Sequence, residues 1–75
     1  MAAMVDVQTD VAGSVWKIVA REGDALQAGE TVLILESMKM EIPVDAPAAG
    51  TLAEFLVEEG ETVEEGQTVA RLQGG

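Results

Sequence analysis

The chain has 75 residues, of which 48% are hydrophobic, with no cysteine, no histidine and a formal net charge of −10. That length allows one small domain, residues 1–75. The missing residue types exclude a disulfide framework, a thiolate metal site and a histidine general base, and the acidic balance argues against nucleic-acid binding, which needs a basic surface.

No apolar run is long enough to cross a bilayer. The start, Met1-Ala2-Ala3-Met4-Val5-Asp6, lacks the basic region and apolar core of a signal peptide. A monomer of the cytosol, away from membranes, is expected.

In chain order, residues 5–8 and 14–20 read as strands, the second rich in Val, Ile and Trp. Arg21-Glu22-Gly23-Asp24 reads as a turn, with Gly23 supplying a backbone conformation that other residues resist. Ala25-Leu26 is a brief bridge before a second turn, Gln27-Ala28-Gly29-Glu30. A buried strand over 31–36 and another over 40–44 follow, with Pro43 marking an edge or an irregularity. The series then repeats: a strand over 51–57, a turn at Gly60, a bridge at Thr62-Val63, a turn at Gly66 and a strand over 68–72. The ordered core is expected over about 5–73, and Gln73-Gly74-Gly75 should fray. No segment carries a sustained helical period; Gly60 divides the acidic stretch 58–65. Many short strands with regular turns imply an all-β sandwich or barrel.

The two halves align without a gap at an offset of 37 (50 minus 13): Gly13 with Gly50, Glu22-Gly23 with Glu59-Gly60, Gly29 with Gly66, Thr31-Val32 with Thr68-Val69, and Leu35 with Leu72. Apolar positions correspond too, among them Val15 with Leu52 and Leu26 with Val63. Such a repeat implies two similar units, each needing a partner to bury its apolar face.

Between the halves stands Glu36-Ser37-Met38-Lys39-Met40-Glu41. It joins two β-prone runs yet contains no Gly, Asn, Asp or Pro, the residues that tight hairpins favour because their central positions need positive φ. A local rule broken at a loop tip points to function rather than packing.

Glu36-Ser37-Met38-Lys39-Met40 resembles the attachment motif of biotinyl domains, the biotin carboxyl carrier family. The resemblance extends over nearly the whole chain and implies a flattened eight-stranded β-barrel, a barrel-sandwich hybrid of two quasi-twofold halves. It places the attachment lysine on the hairpin between them, at the end opposite the chain termini. It implies biotin joined to Lys39 as an amide, Met38 and Met40 as flanking recognition residues, and Glu36 and Ser37 as motif positions read by the ligase. The implied partners are a biotin protein ligase and the biotin carboxylase and carboxyltransferase subunits. The implied role is non-catalytic: to shuttle a carboxyl group between the biotin carboxylase site and a carboxyltransferase or decarboxylase site.

Plainer readings stand beside these. Met40 shares a strand face with Ile42 and Val44 and is expected to be partly buried. Glu36 either serves the ligase or is a solvated strand end. Trp16 lies in an apolar strand, where packing or partial exposure is expected. No two carboxylates stand out as an acid–base pair. Lipoyl domains share the implied fold but usually carry aspartate before the lysine, so Met38 and Met40 favour biotin; a lipoyl carrier and an unmodified adaptor module remain as alternatives. The gapless register implies that the thumb-like loop of some family members is absent. Thr9-Asp10-Val11 departs from the Ala-Pro-Met common in the family, whereas Ala46-Pro47 keeps its proline.

Overall fold

A computed structural model describes residues 4–74; Met1–Ala3 and Gly75, parts of the start and tail considered above, lie outside the described residues. The elements are β1 (Met4–Gln8), β2 (Gly13–Ile18), β3 (Ala25–Leu26), β4 (Thr31–Ser37), β5 (Met40–Asp45), β6 (Gly50–Phe55), β7 (Thr62–Val63) and β8 (Thr68–Gln73). They form two antiparallel sheets, with strand orders β1-β8-β6-β3 and β5-β4-β2-β7. The fold is all-β, a flattened sandwich 39 Å long and 18 Å across.

The 37-residue repeat maps one sheet onto the other: β1 onto β5, β2 onto β6, β3 onto β7 and β4 onto β8. Each sheet therefore mixes strands from both halves. The same exchange governs the turns. Val15 N–H donates to the Glu61 carbonyl (2.8 Å) and Gly60 N–H to the Val15 carbonyl (2.7 Å). One repeat away, Leu52 N–H donates to the Asp24 carbonyl (2.8 Å) and Gly23 N–H to the Leu52 carbonyl (2.7 Å). Gly23 and Gly60 can take these positions because their φ values are 95° and 90°, which L side chains rarely adopt. Between the sheets lie the inward residues of each strand, including the repeat-related pairs Val7/Val44, Val15/Leu52, Leu26/Val63 and Leu35/Leu72, all buried.

Two expectations change. First, β2 ends at Ile18 rather than residue 20, and β6 at Phe55 rather than residue 57. Bulges shift the register between Val15 and Lys17 and between Leu52 and Glu54, and beyond each bulge two residues stay paired, Lys17–Ile18 and Glu54–Phe55. Val19 and Ala20 N–H groups then share one acceptor, the Val32 carbonyl (3.0 Å each). Ile18 N–H is taken by Glu59 Oε2 (2.9 Å) and Phe55 N–H by Glu22 Oε2 (3.3 Å), so each half caps the other's strand. Second, Gln73 does not belong to a frayed tail: it closes β8, paired with Met4 and Thr51. The departure at Thr9-Asp10-Val11 has its own local structure. Buried Thr9 donates its hydroxyl to the Val11 carbonyl (2.8 Å) and accepts from Val11 N–H (3.2 Å), fixing the turn without a proline.

The connections over 19–24 and 56–61 have the same length. The halves thus match at the place where a thumb-like loop would interrupt the first.

Candidate functional site: the β4–β5 hairpin

β4 and β5 pair from Thr31/Asp45 out to Ser37/Met40, leaving Met38 and Lys39 as a two-residue turn. Their φ values are 51° and 65°; they are the positive-φ non-glycine residues of the described chain. Two-residue hairpins of this kind match the right-handed twist of their strands, which is why the ladder forces both residues into the left-handed region. The turn predicted from a breach of local preference is therefore present, with Met38 and Lys39 in the positions where glycine fits more easily.

Met38 is 92% exposed and Lys39 is exposed. Among the described residues the Lys39 ammonium makes no ion pair or side-chain hydrogen bond; the ion pairs found join Arg71 to Asp6 and Glu54. Met40 differs from expectation: it is 64% exposed rather than partly buried. Along β5, burial falls from Val44 (buried) through Ile42 (half-buried) to Met40, because the last ladder pair has no further strand beside it to cover it. Ser37 is half-buried opposite Met40, and Glu36 is exposed opposite Glu41. All five motif residues are thus brought together at one tip.

Two supporting features were not read from the sequence. Gly13 was recognised as a repeat glycine, but its role is local: a Cβ there would stand 2.7 Å from the Glu36 carbonyl oxygen, so β2 reaches the hairpin base only as glycine. The other is the direct opposition of Glu36 and Glu41, which only the strand register reveals. β5 carries the chain away from the tip, and Gly50 then packs against Gln73, where a Cβ would meet the carbonyl oxygen at 2.9 Å. Met4 and Gln73 therefore lie at the end away from Lys39.

Two cavities lie elsewhere. One of about 480 Å³ is lined by residues such as Leu26, Gly50 and Gln73, and one of about 290 Å³ by residues such as Thr9, Pro43 and Pro47. No cluster of metal-ligating side chains occurs among the described residues. The tip offers an accessible primary amine, which suits a prosthetic group held by a covalent bond.

A two-sheet β-domain presenting one lysine on a strained hairpin defines the class of prosthetic-group attachment domains. Residues 1–72 match the biotin/lipoyl family model, described as biotin-requiring enzyme, and the chain belongs to this family. It is 43% identical over 53 residues to the biotin/lipoyl attachment protein of Bacillus subtilis (strain 168), covering 71% of this chain and 73% of that one. It is 44% identical over 52 residues to the biotinylated protein TB7.3 homolog of Mycobacterium leprae (strain TN), covering 69% of this chain and 73% of that one. Among solved structures it is similar to the urea carboxylase of Kluyveromyces lactis, with a TM-score of 0.89 and 36% identity, covering 93% of this chain but 6% of that one.

Proposed function

We propose that Lys39 is the residue that carries biotin and that the chain, as a single domain, is a non-catalytic biotin carboxyl carrier. One observation carries this reading: the Lys39 amine stands exposed, without an ion partner among the described residues, between two exposed methionines at the tip of a turn whose residues are the wrong ones for stability. The similarity to a biotinylated mycobacterial protein and to a urea carboxylase supports biotin over lipoate.

The residues at the tip divide the work. Lys39 would hold biotin through its Nζ: the amine would displace the activating group from the biotinyl carbonyl, that group leaving with the electrons of the broken bond and the nitrogen giving up its protons to solvent, to leave a neutral amide on a flexible four-carbon stem. Met38 and Met40 offer the biotin protein ligase an apolar surface on either side of that amine, and Glu36 and Ser37 complete the surface it reads. When attached, biotin supplies the carboxyl-accepting chemistry, and the active sites belong to a biotin carboxylase and a carboxyltransferase or decarboxylase. The domain raises the effective concentration of its cofactor at both by tethering. It is proposed to act as a monomer in the cytosol.

The test is intact mass with peptide mapping after co-expression with a biotin ligase and, separately, a lipoyl ligase. A biotinyl mass gain confined to Lys39 is expected. A gain only with the lipoyl ligase replaces the cofactor, and no gain in folded protein favours an unmodified adaptor.

A further inference from the structure

The internal repeat supplies a built-in comparison between the two outer sheet faces. On one, Asp6, Arg71 and Glu54 lie directly opposite one another across β1, β8 and β6. Their charges meet: Arg71 Nε lies 3.2 Å from Asp6 Oδ1, and Arg71 Nη1 lies 3.5 Å from Glu54 Oε1. The 37-residue shift carries this row onto Pro43, Ile34 and Lys17, which lie directly opposite one another across β5, β4 and β2. A charge ladder on one face is thus mostly apolar on the other. Trp16, at the bulge beside Lys17, extends the apolar row and is 49% exposed; its counterpart is Ala53. Partial exposure was expected of Trp16, and the structure places its half-exposed ring beside this row.

Two residues nearer the tip, about 7 Å along the strands, stand Glu36 and Glu41, both exposed and directly opposite. Like charges in that position weaken a ladder, and the equivalent positions, Gln73 and Met4, carry none. The face therefore presents a mostly apolar row, then a carboxylate pair with no ion partner among the described residues, then Lys39. A second copy is a poor occupant, because each chain carries a net charge of −10 and would bring the same carboxylates.

We propose that Trp16, Ile34 and Pro43, with the Glu36–Glu41 pair, form the docking face for a partner protein presenting an apolar recess bordered by arginine or lysine. The inference rests on the carrier reading above and adds the surface by which the carrier engages an enzyme acting on its arm. A partner seated there has Lys39 at its border. The patch is narrow, which fits the small interfaces of transient encounters, with tryptophan as the anchor. A cationic side chain entering between Glu36 and Glu41 relieves their repulsion, so binding weakens as salt rises.

The test uses the biotinylated protein as substrate for purified biotin carboxylase from the source organism, with binding followed by the emission of Trp16, the sole tryptophan. Docking should blue-shift that emission. Trp16→Ala and Ile34→Thr should raise KM about tenfold with kcat little changed, while biotin loading by the ligase stays at the parental rate. Glu41→Gln should flatten the salt dependence of KM, and Arg71→Ala, on the opposite face, should leave KM unchanged. A carboxylated parent whose Trp16 and Ile34 variants keep the parental KM overturns the docking face alone. A biotinylated parent that neither binds nor is carboxylated overturns the carrier reading and the docking face together.

Discussion

Met38 and Lys39 hold φ values of 51° and 65°, and neither makes a side-chain hydrogen bond among the described residues that would compensate the strain. A side chain in the left-handed region costs about 1–2 kcal/mol relative to the right-handed one, part of which glycine returns as unfolded-state entropy. Met38→Gly should therefore raise stability by up to about 1 kcal/mol, read as a higher urea midpoint, while lowering the rate of biotin loading. A variant no more stable than the parent would show that the turn is not under strain. Lys39→Arg keeps the charge and the fold but removes the primary amine. Loading should fall to background with an unchanged melting temperature, and a biotinylated Lys39→Arg protein would refute the attachment assignment.

The strands meet at two glycines that the repeat makes equivalent but the hairpin makes different. A Cβ at Gly13 would press on the Glu36 carbonyl at 2.7 Å, and one at Gly50 on the Gln73 carbonyl at 2.9 Å. Both contacts are with backbone, which cannot move aside as a side-chain end can. Gly13→Ala and Gly50→Ala should each cost about 1–3 kcal/mol, the usual penalty of forcing atoms into a packed site. Only Gly13→Ala acts at the base of the attachment hairpin, so it alone should also slow biotin loading. Equal loading in the two variants would show that β2 does not hold the hairpin in place. The early ends of β2 and β6 belong to this scale as well. An apolar run continues past Ile18 and Phe55, so composition alone extended the strands. The Glu59 and Glu22 carboxylates take the N–H groups of Ile18 and Phe55, the last paired residues of the two strands.

Across the whole molecule, the halves cannot come apart without breaking both sheets, since each sheet takes strands from both. Leu35 and Leu72 occupy equivalent, fully buried places. Leu35→Ala and Leu72→Ala should each cost about 2–5 kcal/mol, and each should lower the stability of the entire domain. Trp16 emission, reporting from the first half, and far-UV circular dichroism should give coincident unfolding curves in both variants. Separated transitions would mean that the halves fold independently.

The sequence by itself determined the repeat, the strand and turn positions to within two residues at most ends, the all-β class and the five-residue motif at the tip. These are local signals: glycine at turns, alternating apolar residues, and a lysine between methionines where turn residues should be. The tertiary structure decided which strands pair. A repeated unit can close on itself or exchange strands with its copy, and the same apolar pattern satisfies both; only the register shows that β3 joins β6 and β7 joins β2. That register also exposed Met40 beyond its expected burial, set Glu36 against Glu41, and aligned Lys17 and Ile34 with Pro43, with Trp16 at the bulge beside them. Partners across a sheet are far apart in the chain, and no window of residues encodes their opposition.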